Sequence, residues 1–277
     1  MVDTSVSGSA RRARGRPRSA PGAAAPEPVK GLDTGLVVLR ALAAERCATL
    51  TNLALSAGTS PSTAYRMLAT LARHGLVEFD ERTQEWTVGI EAFRVGSAFL
   101  ARTGLVEVSR PAMASLMHDT RETANLGVAH DNDVVFLAQV EARHPIRAFH
   151  DVGSRGALHA SGIGKALLAE LDPAALDAFV ARSGLPRFTA ATLADPETLA
   201  HDLATTRSRG WSLDDGERHE GMRCVAAAIF DAAGCAVAGV SVSGPSVRFP
   251  DEALGGLGER VRETADTIGE RLGARVG

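Results

Sequence analysis

SPSTAYRMLATLARHG, residues 60–75, carries helix signals at both ends. Ser60 is a capping residue type, Pro61 suits the first helical position, and Gly75 can close a helix in the left-handed conformation. Between them Ala64, Met67, Leu68 and Leu71 form one apolar stripe. Ser62, Thr63, Arg66, Thr70 and Arg73 mostly fall on other faces. Upstream, Leu36, Leu39 and Ala43 recur at helical spacing behind Asp33 as a candidate N-cap. TLTNLALSAG, residues 49–58, fits a second short helix, capped by Thr49 or Thr51 and ended by Gly58. Downstream, LVEFDERTQEWTV, residues 76–88, places Val77 and Phe79 before a polar turn and Trp86 and Val88 after it, the pattern of a hairpin. Three helices followed by a hairpin is the order of a winged helix-turn-helix, predicted here over residues 30–90.

Two helices joined by a tight turn can set the second into the major groove of double-stranded DNA. Residues near its N-terminus then meet base edges and phosphates. Ser60, Ser62, Thr63, Tyr65 and Arg66 are the right types at that end. Tyr65 suits a thymine methyl or a phosphate, and Arg66 a guanine or a phosphate; the sequence leaves both choices open. The competing reading is a capped structural helix with a merely hydrated polar face.

Residues 1–29 form a candidate disordered basic arm, rich in Ala, Pro, Ser and Arg and poor in apolar residues. Arg11, Arg12, Arg14, Arg16, Arg18 and Lys30 face only Asp3 and Glu27 in this part of the chain, whereas the whole chain carries a net charge of −3. A basic arm on an acidic body points to a polyanion at one end. RGRPR, residues 14–18, can lay Arg16 and Arg18 in a narrow A·T minor groove, or it can be a solubilising tail.

The 277 residues suffice for two domains. No run of about 18 uncharged apolar residues is present to span a membrane, and the N-terminus lacks the apolar segment of a secretory signal. Cys47, Cys224 and Cys235 are odd in number, with no Cys-x-x-Cys pair. That argues against a disulfide framework or a cysteine zinc site, and for a reducing, cytoplasmic setting. No cofactor is implied and no repeat of solenoid length is evident.

Residues 91–107 are expected to be a helical linker through Gly96 and Ala98, with a further helix after Pro111. ANLGVAH and VVFLAQVEA flank the turn Asp131-Asn132-Asp133, and IRAFH, residues 146–150, follows as another strand. Helices are expected near 162–171, 173–183 and 196–209. CVAAAIFD and AVAGVSVSGP form a hairpin across Ala232-Ala233-Gly234, and a polar helix from about Asp251 closes the chain. Residues 108–277 therefore fit a mixed sheet carrying helices.

Within ALHASGIGKALLAEL, residues 157–171, Gly164-Lys165 resembles part of a phosphate loop. A Walker loop requires Gly five residues before that glycine and Ser or Thr after the lysine. Here those positions hold His159 and Ala166, so the nucleotide reading fails. What remains is a helix start after Ser161 or His159. Its first amides, on Gly162 and Ile163, are available to a carboxylate or are simply structural.

The winged-helix half, LHASGIGKALLAEL and CVAAAIFDAAGCAVAGVSVSGP together resemble the IclR family of bacterial transcriptional regulators across roughly residues 30–275. The resemblance implies an α+β protein: an N-terminal winged helix-turn-helix, a helical linker, and a C-terminal GAF/PAS-like effector-binding domain over residues 108–277. LHASG-x-GKALL, an aspartate ten residues before a cysteine, and SxSGP resemble the glyoxylate-responsive branch, which includes regulators of allantoin utilisation and of the β-hydroxyaspartate cycle. Carried over by position, Gly162, Ile163, Asp214, Cys224, Ser241 and Ser243 would form the effector cup, with Leu158 as an apolar wall. Amides and serine hydroxyls would donate to the acid, while Asp214 would accept from a hydrated aldehyde. Asn52 departs from the family, which often has an acidic residue there.

Each residue has a plainer explanation. Asp214 fits a cap or turn aspartate, with Asp215 beside it as the alternative cup residue, Cys224 fits a small buried hydrophobe, and Ser241 and Ser243 fit solvent-facing residues of an edge strand. His159 suits a structural donor. The expectation is a non-enzymatic repressor that binds operator DNA as a homodimer or dimer of dimers and answers a small carboxylate, with glyoxylate favoured. The alternatives are another acid, such as pyruvate or an aromatic carboxylate, and a thiol enzyme using Cys224 with His159 or His219.

Overall fold

The computed structural model describes residues 27–142 and 151–274. Arg16, Arg18 and the expected strand 146–150 lie outside the described residues. The chain divides into two compact units, Met1–Ala92 and Phe93–Gly277.

The first unit contains α1 (Lys30–Glu45), β1 (Cys47–Thr49), α2 (Leu50–Ser56), α3 (Pro61–Arg73), β2 (Val77–Asp80) and β3 (Glu85–Val88). The signals read in α3 operate as expected. Ser60 Oγ accepts the Thr63 N–H at 3.2 Å, Pro61 opens the helix, and Gly75 has φ 68°. Thr49 caps α2 through the Asn52 N–H. In α1 the sequence reading is one step out of phase: Gly35, Val38 and Leu42 are buried rather than Leu36, Leu39 and Ala43. The run LVVLRALAA offers apolar residues on every face, and packing against α3 selects the one where Gly35 admits Met67 Sδ. Asp33 lies in the first turn, not at the cap.

The hairpin pairs Val77 with Val88 and Phe79 with Trp86, whose rings stand 4.8 Å apart. β1 adds a third strand, order β1-β3-β2, which its three residues could not announce. Leu42, Leu53 and Leu68 are fully buried in the core beneath. Truncating any of them to Ala would cost about 2–5 kcal/mol.

The second unit takes most of α4 (Ile90–Thr103), then α5 (Leu105–Thr120), β4 (Thr123–His130), β5 (Asp133–Val140), β6 (Arg155–Ala157), α6 (Gly162–Leu168), α7 (Pro173–Ser183), α8 (Pro196–Arg209), β7 (Ser212–Asp215), β8 (Met222–Phe230), β9 (Ala236–Pro245) and α9 (Asp251–Arg271). Pro111 lies inside α5 rather than before it. A proline removes one helical hydrogen bond there, and the buried residues Ala112, Met113 and Leu116 that follow it hold the helix on the sheet. Asp172-Pro173 and Asp195-Pro196 open α7 and α8 as Ser60-Pro61 opens α3: each aspartate accepts the N–H three residues on.

The strands form one sheet, order β6-β5-β4-β9-β8-β7. Every described pairing is antiparallel, which corrects the expected mixed sheet. Two hairpins, β4–β5 and β8–β9, meet along β4 and β9, and short edge strands join β5 and β8. The α+β class stands. One face of the sheet packs on α5 and α9 through Leu126, Val225, Val240, Val242, Val261 and Ile268. The other face packs on α6, α7 and α8 through Phe136, Ile163, Leu168, Phe179, Leu199 and Ala226.

Candidate functional site

The α6 face carries two polar rows running across the strands. Asp214 on β7 pairs in register with Cys224 on β8, and Cys224 pairs with Ser243 on β9. One rung along, Ser212 pairs with Ala226 and Ala226 with Ser241. Residues two apart on a strand face the same side, so Asp214, Cys224, Ser241 and Ser243 share the face under α6. The ten-residue spacing from Asp214 to Cys224 is thus a short hairpin that sets the two opposite each other.

α6 is anchored onto these rows. Ser161 Oγ accepts the Gly164 N–H at 3.2 Å, and Ser161 O accepts the Lys165 N–H, the first helical bond, at 2.9 Å. The amides of Gly162 and Ile163 come before that bond. Ser212 Oγ donates to Gly162 O at 2.7 Å, fixing the helix start on β7. A Cβ at Gly162 would lie 2.7 Å from Cys224 Sγ, so the close approach of helix and strand requires glycine there.

Between them lies a cavity of about 160 Å³, lined by Gly162, Ile163, Asp214, Cys224, Ser241 and Ser243. All six expected cup residues therefore converge. Pockets for drug-sized ligands run to about 300–1,000 Å³, so this one suits a small molecule. Leu158 corrects the expectation: it is buried but belongs to a different hollow, beside Phe179. The apolar wall is made instead by Phe136, Ala160, Ile163 and Met222.

β9 is an interior strand, and Ser241 and Ser243 are 1% and 4% exposed, which removes the solvent-facing reading. Asn125 on β4, fully buried, donates Nδ2 toward Ser241 Oγ at 3.4 Å and Ser243 Oγ at 3.3 Å, while its Oδ1 accepts from Gln139 at 2.9 Å. This positioning amide escaped the sequence reading. A lone Asn within the apolar run ANLGVAH was the available signal.

Asp214 is a turn aspartate as well as a cavity residue, since its Oδ1 accepts the Glu217 N–H at 2.8 Å. Burial raises its carboxyl to about 6, against the lowering effect of that N–H and of the Lys165 charge. Asp215 points away and pairs with Arg223. Burial and the Asp214 charge push the Cys224 thiol up to about 11, although Ser243, Ser241 and the Gly162 N–H donate to the sulfur. At neutral pH Cys224 is a protonated thiol, the opposite of an activated nucleophile. His159 donates to Pro186 O at 2.9 Å, and burial lowers its pKa; it is the structural donor expected. His219 lines the cavity.

Behind the cup, the sequence leaves Lys165 open between an outward position and a salt bridge, and the structure has the salt bridge. Lys165 is 0% exposed and pairs with Glu217 and with Asp202 at 3.0 Å. Burial raises the Glu217 carboxyl to about 7, opposed by the Lys165 charge and hydrogen bond. Arg155, Arg218 and Arg223 are further cavity residues that were not anticipated; the last two lie in the stretch between the expected Asp214 and Cys224.

In the first unit, Tyr65 is 56% exposed and Ser62 and Arg66 are exposed with it, one face at spacings of three and four. Ser60 and Thr63 are engaged with each other in the cap, Oγ to Oγ1 at 2.9 Å.

Known proteins resemble the chain along both units. The model described as IclR helix-turn-helix domain matches residues 31–81, and that described as Bacterial transcriptional regulator IclR C-terminal matches residues 97–270. The HTH-type transcriptional regulator BhcR of Paracoccus denitrificans (strain Pd 1222) is 49% identical over 257 residues, 92% of either chain. The HTH-type transcriptional repressor AllR of Escherichia coli (strain K12) is 35% identical over 265 residues, 94% of this chain and 98% of that one. An IclR homolog from Microbacterium hydrocarbonoxydans, complexed with 4-hydroxybenzoate, superimposes with a TM-score of 0.77 at 25% identity over 88% of this chain and 100% of that one.

Proposed function

The chain belongs to the IclR family of bacterial transcriptional regulators, and we propose that it is a repressor whose C-terminal domain binds glyoxylate or a close oxo-acid and thereby changes operator affinity. The observation that carries this reading is the convergence of Gly162, Ile163, Asp214, Cys224, Ser241 and Ser243 on one small cavity. Two hydroxyls and two early helical amides are donors for a carboxylate or oxo oxygen. Asp214 is the acceptor that a hydrated aldehyde needs, and Phe136, Ile163 and Met222 keep the space short.

Operator binding rests on Ser60, Ser62, Thr63, Tyr65 and Arg66 of α3. Ser60 and Thr63 shape the helix end, and Ser62, Tyr65 and Arg66 meet DNA. Arg16 and Arg18 extend the contact into the minor groove. Paired half-sites call for paired recognition helices, hence a homodimer or a dimer of dimers. The effector acts by binding one conformation better than the other.

The second reading keeps the regulator and changes the acid: the Microbacterium hydrocarbonoxydans homolog holds 4-hydroxybenzoate. The small cavity favours the shorter acid. A thermal-shift screen of glyoxylate, pyruvate and 4-hydroxybenzoate separates them. A ligand at about 100 times its Kd adds roughly 2.7 kcal/mol, a shift of several degrees. Stabilisation by glyoxylate is the expected result; stabilisation by 4-hydroxybenzoate alone would overturn the assignment.

A further inference from the structure

Three arginines line the cavity: Arg155, Arg218 and Arg223. Two are paired with carboxylates. Arg155 donates to Asp133 at 2.8 Å and to His130 O at 3.2 Å. Arg223 holds Asp215 through two nitrogens and reaches Phe249 O and Asp251 at 2.6 Å. Arg218 differs. Its backbone N–H donates to the Asp214 carboxylate, but its guanidinium carbon sits 3.9 Å above the Phe188 ring, and among the described residues the side chain makes no hydrogen bond or ion pair. The stack fixes the guanidinium plane and leaves its edge N–H groups unspent.

The cup itself lacks a cation. Its donors are neutral amides and hydroxyls, and its one charged residue, Asp214, repels an anion. Lys165, the other nearby cation, is committed to Glu217 and Asp202. Among the described residues, Arg218 is the cavity-lining arginine whose side chain is left without an ionic partner. It stands on the turn 216–221 between β7 and β8, between glycines with φ 73° and 74°.

We infer that Arg218 is a specificity-determining residue that supplies the cationic contact to the effector's carboxylate, so that the cavity selects small anionic acids over neutral carbonyl compounds of the same size. The inference rests on the proposed effector role of this cavity and adds the residue that reads charge. Arg218 approaches the carboxylate from the turn while the cup holds the remainder, and Phe188 acts as the platform that keeps the fork aimed.

Calorimetric titration of the full chain tests this with three probes: glyoxylate, pyruvate and the neutral methylglyoxal. Arg218→Gln should weaken glyoxylate or pyruvate by about 10- to 100-fold, the range of a hydrogen bond to a charged group, and leave methylglyoxal within about twofold of the wild type. Arg218→Lys should fall between, keeping the charge but losing the planar fork. Raising salt should weaken acid binding more in the wild type than in Arg218→Gln. If Arg218→Gln and Arg218→Lys bind the acids like the wild type while Ser241→Ala does not, the inference fails and the cavity remains the effector site. If the wild type prefers methylglyoxal, or binds none of the three, the inference and the effector assignment fall together.

Discussion

The backbone N–H of Glu217 donates to Asp214 Oδ1 at 2.8 Å, so the residue that shapes the turn is tied directly to the acceptor in the cavity. Glu217 is held on two further sides. Its carboxylate meets Lys165 from α6, and its carbonyl accepts Thr192 Oγ1 at 2.6 Å. The buried ionic group behind the cup thus fixes where the Asp214 carboxylate points, and it explains why an entirely buried lysine sits one turn inside α6.

Removing the cation should therefore be costly. Lys165→Met leaves Glu217 and Asp202 facing one another without compensation, a loss of about 3–5 kcal/mol. Urea denaturation should show the midpoint falling accordingly, with the Lys165→Met/Glu217→Met double variant recovering part of it. A loss below about 1 kcal/mol in the single variant would show that the cluster is not structural.

The same cluster should make stability depend on pH. A carboxyl whose folded pKa is raised holds its proton more tightly folded than unfolded. Its contribution is fully present below the unfolded value and is lost as pH rises through the folded value. For Glu217 the window runs from 4.5 to about 7. Glu217→Gln lacks this loss, so its stability relative to the wild type should rise across that window. Denaturation curves at a series of pH values check it; a difference flat with pH contradicts the assignment.

Cys224 should behave as an inert thiol. With its pKa near 11, almost none of it is thiolate at pH 7.5. Cys47 and Cys235 are exposed. Mass spectrometry after brief iodoacetamide treatment should find those two modified first and Cys224 last. Rapid labelling of Cys224 would revive a nucleophilic role.

For DNA, Arg66→Ala should weaken operator binding. If Arg66 contacts a phosphate, the loss is uniform across sequences and the salt slope falls by about one; if it reads a base, the loss of about 1–3 kcal/mol falls at a single position. Fluorescence anisotropy over a salt series and a set of operator variants distinguishes the two. Unchanged affinity in Arg66→Ala and in Ser62→Ala/Tyr65→Ala would leave α3 as a structural helix.

What the sequence made legible follows from how local each signal is. Ser60-Pro61, Asp172-Pro173 and Asp195-Pro196 act within one turn of their helices, and those starts were readable. The β8–β9 hairpin was readable as two apolar runs flanking Ala232-Ala233-Gly234. The short strands β1, β6 and β7 gain their hydrogen bonds from distant partners, so three or four residues alone do not declare them. The face of α1 was misread because its apolar residues surround the helix and tertiary packing makes the choice. In the candidate site, Gly162, Asp214, Cys224, Ser241 and Ser243 were found through family resemblance, whereas Asn125, Lys165 and Arg218 act through contacts such as those 52 and 118 residues away or through an aromatic stack. No spacing rule carries such contacts.

Occupation of the cavity should change operator affinity. Anisotropy titration of a labelled fragment from upstream of the protein's own gene, with and without glyoxylate, measures it directly. The expected change is about 5- to 150-fold for the wild type, absent in Asp214→Asn and in Ser241→Ala/Ser243→Ala. Identical affinities with and without glyoxylate in the wild type, on a fragment that it binds, would contradict it.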